Sequence, residues 1–285
     1  MTNRACLAGI AVGDGLPVAV LGALNVSPES FYHGSIVTQG DDLLRAAEAM
    51  GEAGAAFVDV GAMSTAPYVA ARIPESQEAD RLGWAIDLVV RKLDLPVSAD
   101  TSRAAPARAA LDAGARIIND VTGLTGDADM GQVVAGRSAV GLILMASERG
   151  ERGSADPMEM VRARLDEGLA IARQAGIDPS RIVVDPGIGF FRSQGLAWQD
   201  WDCAVLARLL VLRNLGRPVC VGVSRKSFIG AVAGEADPRR RLPGSLAATA
   251  AAVLGGAQLI RTHDVAETVQ AVKVAGAIRH ASEQA

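Results

Sequence analysis

"VCVGVSRKSF", residues 219–228, changes character halfway along. An apolar run closes on Gly222-Val223, the polar quartet Ser224-Arg225-Lys226-Ser227 follows, and Phe228 resumes the hydrophobic pattern. A short aliphatic run bounded by turn residues reads as a buried strand, with a helix to follow. Lysine occurs only at Lys92, Lys226 and Lys273, so one of three lysines stands at the exit of this strand.

The same succession recurs along the chain: aliphatic run, polar or glycine turn, alanine-rich amphipathic stretch. "PVAVLGALNV" (17–26) precedes a helix over 41–54, "AAFVDVG" one over 76–92, "PVSAD" one over 103–113, and "ARIIND" a weaker one near 127–135. "AVGLILM" leads to 157–175, "RIVVDPG" to 200–214, "PVCVGVS" to 241–255, and "AQLIRTHDV" to 264–280. Gly54, Gly114 and Gly176 follow helix ends, where a left-handed cap favours glycine. Continuous apolar strands imply parallel pairing with helices on both faces. Eight such units without a linker-like break predict one (β/α)8 barrel domain over 1–285, of the TIM type. The rival, an open doubly wound sheet, would carry a glycine-rich fingerprint after its first strand, and none is present. The segment before residue 17 is expected to form a short hairpin over the barrel bottom.

Composition narrows the function. Hydrophobic residues make up 49% of 285, enough for a large core, while aromatics are only 4%. A net charge of −4 argues against nucleic acid as a partner. No apolar run reaches membrane-spanning length, and no signal-peptide pattern opens the chain. Cys6, Cys203 and Cys220 are odd in number and widely spaced, which fits free thiols in a reducing cytoplasm.

In a barrel of this kind chemistry gathers at the C-terminal strand ends. Those ends read Asn25, Asp59 with Gly61 and Ser64-Thr65, Asp100-Thr101, Asn119-Asp120, Met145, Asp185-Pro186-Gly187, Ser224-Arg225-Lys226-Ser227 and Arg261-Thr262-His263-Asp264. Any one of them could merely cap the next helix. Together they suggest a division of labour. Asp100, Asn119, Asp185 and Lys226 offer acceptors and donors to a flat, nitrogen-rich heterocycle. Arg261 and His263, with Asn25, suit an anion or a metal-bound diphosphate.

These motifs resemble the dihydropteroate synthase family of pterin-binding barrels. The resemblance runs from "LGALNVSPESF" (21–31) through "VDVGAMST", "SADTSR", "IINDVTG", "VVDPGIGF" and "GVSRKSFIG" to "IRTHDV" (260–265). It implies a transferase that joins a 6-hydroxymethyl-(dihydro)pterin diphosphate to an arylamine and releases pyrophosphate, with Mg²⁺ as cofactor. Catalysis would then rest on Asp100, Asp185, Lys226 and Arg261. Thr65, Asn119, Met145, Phe190, Gly222, Ser227 and His263 would bind substrate, and Asn25 would bind the metal. Arginine and histidine would neutralise the departing pyrophosphate, and the loops 27–40 and 61–75 would close over the site. The family also implies a homodimer, for which the alanine-rich helix 244–254 is suited.

The chain departs from the family around the acceptor. Met63 and Ala66 flank Ser64-Thr65 where glutamate and arginine are usual, Ala146 replaces a histidine, and "GIGFFRSQGLAWQDWD" carries Trp198 and Trp201. One consequence is an altered acceptor: an aminobenzene bearing a ribofuranosyl phosphate, as in tetrahydromethanopterin synthesis, with Tyr32, His33, Arg72, Arg149 and Arg192 serving its anionic end. The alternatives are a methyltetrahydropterin-dependent methyltransferase and a non-catalytic pterin-binding protein.

Overall fold

The computed structural model describes residues 2–26, 40–63, 73–149, 156–192 and 196–284. It opens with the expected hairpin, β1 (Arg4–Leu7) and β2 (Ile10–Gly13), paired antiparallel. Ala8 and Gly9 both have positive φ (50° and 86°), as a tight two-residue hairpin turn requires.

Eight parallel strands follow: β3 (Ala19–Asn25), β4 (Phe57–Gly61), β5 (Val97–Asp100), β6 (Ile117–Asp120), β7 (Gly141–Met145), β8 (Ile182–Asp185), β9 (Cys220–Gly222) and β10 (Leu259–Thr262). They pair in the order β8-β7-β6-β5-β4-β3-β10-β9. A parallel bridge between Val184 and Val219, with Val184 N–H donating to Pro218 O at 2.9 Å, joins the two ends of the sheet and closes the barrel. The helices between them are α1 (Gly40–Glu52), α2 (Glu75–Lys92), α3 (Ala104–Asp112), α4 (Met130–Ala135), α5 (Pro157–Ala175), α6 (Trp198–Ala207), α7 (Ser227–Ala233), α8 (Leu242–Leu254) and α9 (Val265–Gln284).

Helix boundaries follow local chemistry. Asp156 caps α5 by accepting from the amides of Met158 and Glu159, Pro157 opens it, and Gly176 closes it at φ 82°. The weak helix expected near 127–135 shortens to α4, and Asp127 ahead of it ties the two helices together, accepting from Ala104 N–H at 2.8 Å and from Asp129 N–H at 3.0 Å. The helix expected over 200–214 divides at Arg208 (φ −115°, ψ 16°) into α6 and a 3-10 segment, Leu209–Leu215. Leu209 and Leu212 are both buried there, three residues apart as a 3-10 turn repeats. After β9 the chain adds α7, which the sequence pattern did not separate from α8.

Period-two alternation sorts the strand residues into two cores. Val20, Val58, Val97, Ile118, Leu142, Val184, Val221 and Ile260 point outward and join the helices in one large apolar cluster. Leu21, Phe57, Ile117, Ile143, Val183, Cys220 and Leu259 point inward and meet Ala5, Leu7 and Val12 of the hairpin. Gly141 makes room for this plug: a β-carbon there would lie 2.6 Å from Leu7 Cδ2. The lower barrel is thus filled with hydrocarbon, and the inward positions one pleat higher are left to polar residues.

Candidate active site

Those higher inward positions are Asp59, Asp100, Asn119, Asp185, Gly222 and Arg261, each two residues beyond an inward residue of its strand or in register with one. Carboxylates this deep require partners, because a lone buried charge is costly. Arg261 supplies them. Its Nε donates to Asp59 Oδ2 at 2.6 Å and its Nη2 to Asp100 Oδ2 at 2.8 Å. Asn119 Nδ2 donates to the same Asp59 oxygen at 2.9 Å. Asp59 is fully buried, and Asp100, Asn119 and Asp185 are nearly so.

Two oxygens of this floor, Asp59 Oδ1 and Asp100 Oδ1, are buried and accept no hydrogen bond among the described residues. Burial pushes Asp100 up to about 7 against the pull of Arg261, with Asp59, Glu78 and Asp120 adding to the rise. Burial works against the Arg261 cation too, but Asp59 and Asp100 more than offset it and raise the guanidinium. Arg261 therefore keeps its proton, and Asp100 is the carboxylate poised to take one. Burial also raises Asp185, opposed by Lys226 and by the Gly187 N–H it accepts at 2.7 Å.

The quartet after β9 reaches this floor through backbone strain. Arg225 sits in the left-handed region at φ 56°, uncommon for a residue with a β-carbon. Its guanidinium grips Asp264 (Nε to Oδ2 2.8 Å) and its N–H donates to Ser245 Oγ at 2.8 Å, which over-determines the conformation. The turn sends Lys226 back over the mouth, where Nζ donates to Ile188 O and lies 5.0 Å from the Phe190 ring centre. Burial lowers the Lys226 ammonium, while Asp185 and Asp202 support it.

The loop Asp185–Phe190 is shaped by two left-handed glycines. A β-carbon on Gly187 (φ 72°) would lie 2.0 Å from Ala146 O, so only glycine fits. Met145 pairs in register with Asp185 and is buried beside it. Gly222 has looser surroundings: a β-carbon would touch Arg261 at 3.6 Å, so its value is open space, not relief of a clash. Ser227 Oγ accepts from Arg192 Nη2 at 2.7 Å, and Arg192 lies 4.4 Å over Trp198.

His263 does not fit the cationic part expected of it. Burial first, then Arg261, with Arg225 and Lys226 adding, lowers its pKa to about 4 although Asp264 opposes. It is neutral at physiological pH and pairs through Nδ1 with Ser224 Oγ at 3.1 Å. A neutral imidazole donates or accepts a hydrogen bond to an anion but adds no charge. Asn25 ends β3 opposite Gly61, and a β-carbon on Gly61 would lie 3.9 Å from Asn25 Oδ1 and 3.7 Å from Asp100 Oδ2. The missing side chain leaves a small cradle between an amide oxygen and a carboxylate. Among the described residues no group of three His, Cys, Asp or Glu could hold a metal ion. A divalent cation would have to bring most of its ligands, as Mg²⁺ does with phosphate oxygens and water; the cradle at Asn25 fits that case.

Most expected site residues therefore meet at one rim. Thr65 lies outside the described residues, as do Tyr32, His33, Arg72 and most of the two loops expected to close. Arg149 is engaged elsewhere, with Glu167 at 3.0 Å and its carbonyl holding Arg164 Nη2. Asp120 faces outward and accepts from Thr122 and Leu124, which makes it a turn residue. Sequence reasoning passed over Asp59 as a site residue. The signal was there: a carboxylate on the inward register of an apolar strand must be paired.

Known proteins share this fold and a third or more of this sequence. The model of the family "Pterin binding enzyme" matches residues 21–263. A dihydropteroate synthase of Mycobacterium leprae is 40% identical, over 94% of this chain and 96% of its own. The Burkholderia cenocepacia dihydropteroate synthase complexed with 7,8-dihydropteroate superposes with TM-score 0.86 at 35% identity, covering 100% of both chains. That of Xanthomonas albilineans with 4-aminobenzoic acid gives 0.86 and 35%, covering 98% of this chain and 99% of that one.

Proposed function

The chain belongs to the pterin-binding enzyme family, and from that premise we propose that it is a dihydropteroate synthase acting as one pterin-binding barrel domain. It joins a 6-hydroxymethyl-dihydropterin diphosphate to 4-aminobenzoate and releases pyrophosphate. The observation that supports this most is the Asp100 oxygen left without a partner among the described residues, above a floor of Asp59, Asn119, Asp185 and Arg261. A pterin edge presents amino and ring N–H donors that such oxygens accept, beside ring acceptors that Lys226 can reach.

In the reaction the bond from the exocyclic methylene to the diphosphate oxygen breaks, and the arylamine nitrogen bonds to that carbon and sheds a proton. Asp100 and Asp185 would hold the ring and favour positive charge on it as the anion departs. Lys226 would hold a ring acceptor, with Met145 and Phe190 as apolar walls and Gly222 leaving space beside Arg261. Asn25, Arg261 and His263 would line the diphosphate end, His263 as a hydrogen-bonding neutral ring. Ser227 and Thr65 would bound the amine's position. Asn25 would hold Mg²⁺ together with the substrate's own oxygens, and the ion supplies charge neutralisation at the leaving group.

A homodimer is part of the proposal. It is supported by the exposed apolar side chains Leu254, Val274 and Ile278, at 47%, 63% and 52%, which share the groove between α8 and α9. So is the cytoplasm: all three cysteines are free, and among the described residues no helix is long and apolar enough to cross a membrane.

The test is pyrophosphate release from the pterin diphosphate with Mg²⁺ and a panel of amines. Release that depends on 4-aminobenzoate is the expected result. Release only with the ribofuranosyl phosphate amine would transfer the assignment to that acceptor. Pterin binding without release, or methyl transfer instead, would overturn the synthase reading.

A further inference from the structure

The aromatic stretch "GIGFFRSQGLAWQDWD" contains a carboxylate that the reaction above does not use. Asp202 on α6 is 1% exposed. Its Oδ1 accepts from Gly189 N–H at 2.8 Å, and its Oδ2 is buried with no hydrogen-bond partner among the described residues. Gly189, at φ 85°, packs on the catalytic-site lysine: a β-carbon there would lie 3.2 Å from Lys226 Cδ and 3.7 Å from its Nζ. The adjoining Ile188 carbonyl accepts from that Nζ, and the following Phe190 ring lies beneath it. The peptide that wraps Lys226 is therefore pinned at its midpoint by Asp202. Stacking of Phe191 on Trp201, with ring centres 5.3 Å apart and planes at 21°, docks α6 against the same loop.

We propose that Asp202 is a positioning residue for Lys226, fixing the loop 187–190 through Gly189 and balancing the lysine's charge from the side opposite the pterin floor. Among the described residues the charged groups facing Lys226 are Asp185 from β8, Asp202 from α6, Arg261 from β10 and Arg192 from the loop after β8, with the neutral His263 also near. Two are cations. Removing either carboxylate leaves the ammonium outnumbered, in a place where burial already disfavours it. Burial raises Asp202 itself, and after the Gly189 amide it is Lys226 that opposes this. The two groups support each other's charge.

The test exploits the scarcity of lysine. With three lysines in the chain, ¹³C-lysine-labelled protein gives three titrating side-chain signals, assigned with Lys92→Arg and Lys273→Arg. The Lys226 signal is expected to titrate below the ordinary lysine value. In Asp202→Asn, which keeps an acceptor for Gly189 but not the charge, it should fall further by roughly one pH unit. The alkaline limb of kcat/KM for the pterin diphosphate should move with it. An unmoved Lys226 midpoint in Asp202→Asn overturns the proposal. Should that variant not fold, a urea-denaturation cycle of Asp202→Ser, Lys226→Met and the double variant decides instead. Coupling between the sites supports the proposal, and additivity overturns it. The inference rests on the synthase reading only for its kinetic arm. A protein without turnover would sink that reading while the NMR titration still judged Asp202.

Discussion

Arg261 bridges Asp59 and Asp100 across the barrel interior, Nε to one carboxylate at 2.6 Å and Nη2 to the other at 2.8 Å. The three residues come from β10, β4 and β5, and one forked cation holds two buried anions apart in fixed positions. Lysine cannot make that fork.

Arg261→Ala leaves both carboxylates without their cation. Breaking a buried pair in this way typically costs about 3–5 kcal/mol, because the uncompensated charge stays behind. Urea denaturation should register a loss of that order, with Arg261→Lys intermediate. Stability equal to the parent in Arg261→Ala would mean that solvent reaches the floor, contrary to its burial.

Asp100 should govern the acid side of the pH profile. Its pKa is pushed up to about 7, so the ionised acceptor is lost as pH falls through that value. For the proposed reaction, kcat/KM for the pterin substrate should drop about tenfold per unit below that point. Asp100→Asn should flatten the limb and lower the plateau roughly 10- to 100-fold, as loss of a charged hydrogen bond predicts. For the ligand-free fold the sign reverses. The raised pKa favours the protonated form, so Asp100's contribution to stability is present at low pH and lost as pH rises through about 7. An acid limb unchanged in Asp100→Asn would assign it to another group.

His263 should be neutral before substrate arrives. With only three histidines in the chain, its ring proton is readily assigned by NMR. The midpoint should lie at about 4 in the free protein, held there by burial and by the Arg261 cation. Added pyrophosphate should raise it, since an anion favours the imidazolium. A free-protein midpoint near the ordinary histidine value of about 6.5 would contradict the buried, cation-rich setting.

The groove between α8 and α9 should close on a second copy. Val274→Glu combined with Ile278→Glu places charges on exposed apolar positions without touching the core. Analytical ultracentrifugation is expected to show halving of the mass, with circular dichroism unchanged. An unaltered mass would move the proposed interface elsewhere.

Much of this molecule was legible beforehand for reasons tied to particular residues. Strands such as Ile117–Asp120 and Ile182–Asp185 are apolar until their ends, and helices such as Pro157–Ala175 carry their own start and stop signals. The rim was legible because polar residues sat at strand ends, where a barrel has few other uses for them. Asp59 was harder to place, since it stands mid-strand and its partners are 60 and 202 residues away. Asp202 was harder still: helical position alone does not show that a carboxylate turns toward Gly189.

The linear chain settled what alternates with what. Side-chain period and turn chemistry are local, so they fixed eight strand–helix units, the hairpin and the list of strand-end residues. Only closure of the barrel decided which face of each strand looks inward, and hence that Asp59 belongs to the site and Asp120 does not. Closure also set the charge states. The pKa values of Asp100, Lys226 and His263 depend on burial and on neighbours brought from distant strands. Those electrostatic terms act through space, and no spacing along the chain encodes them.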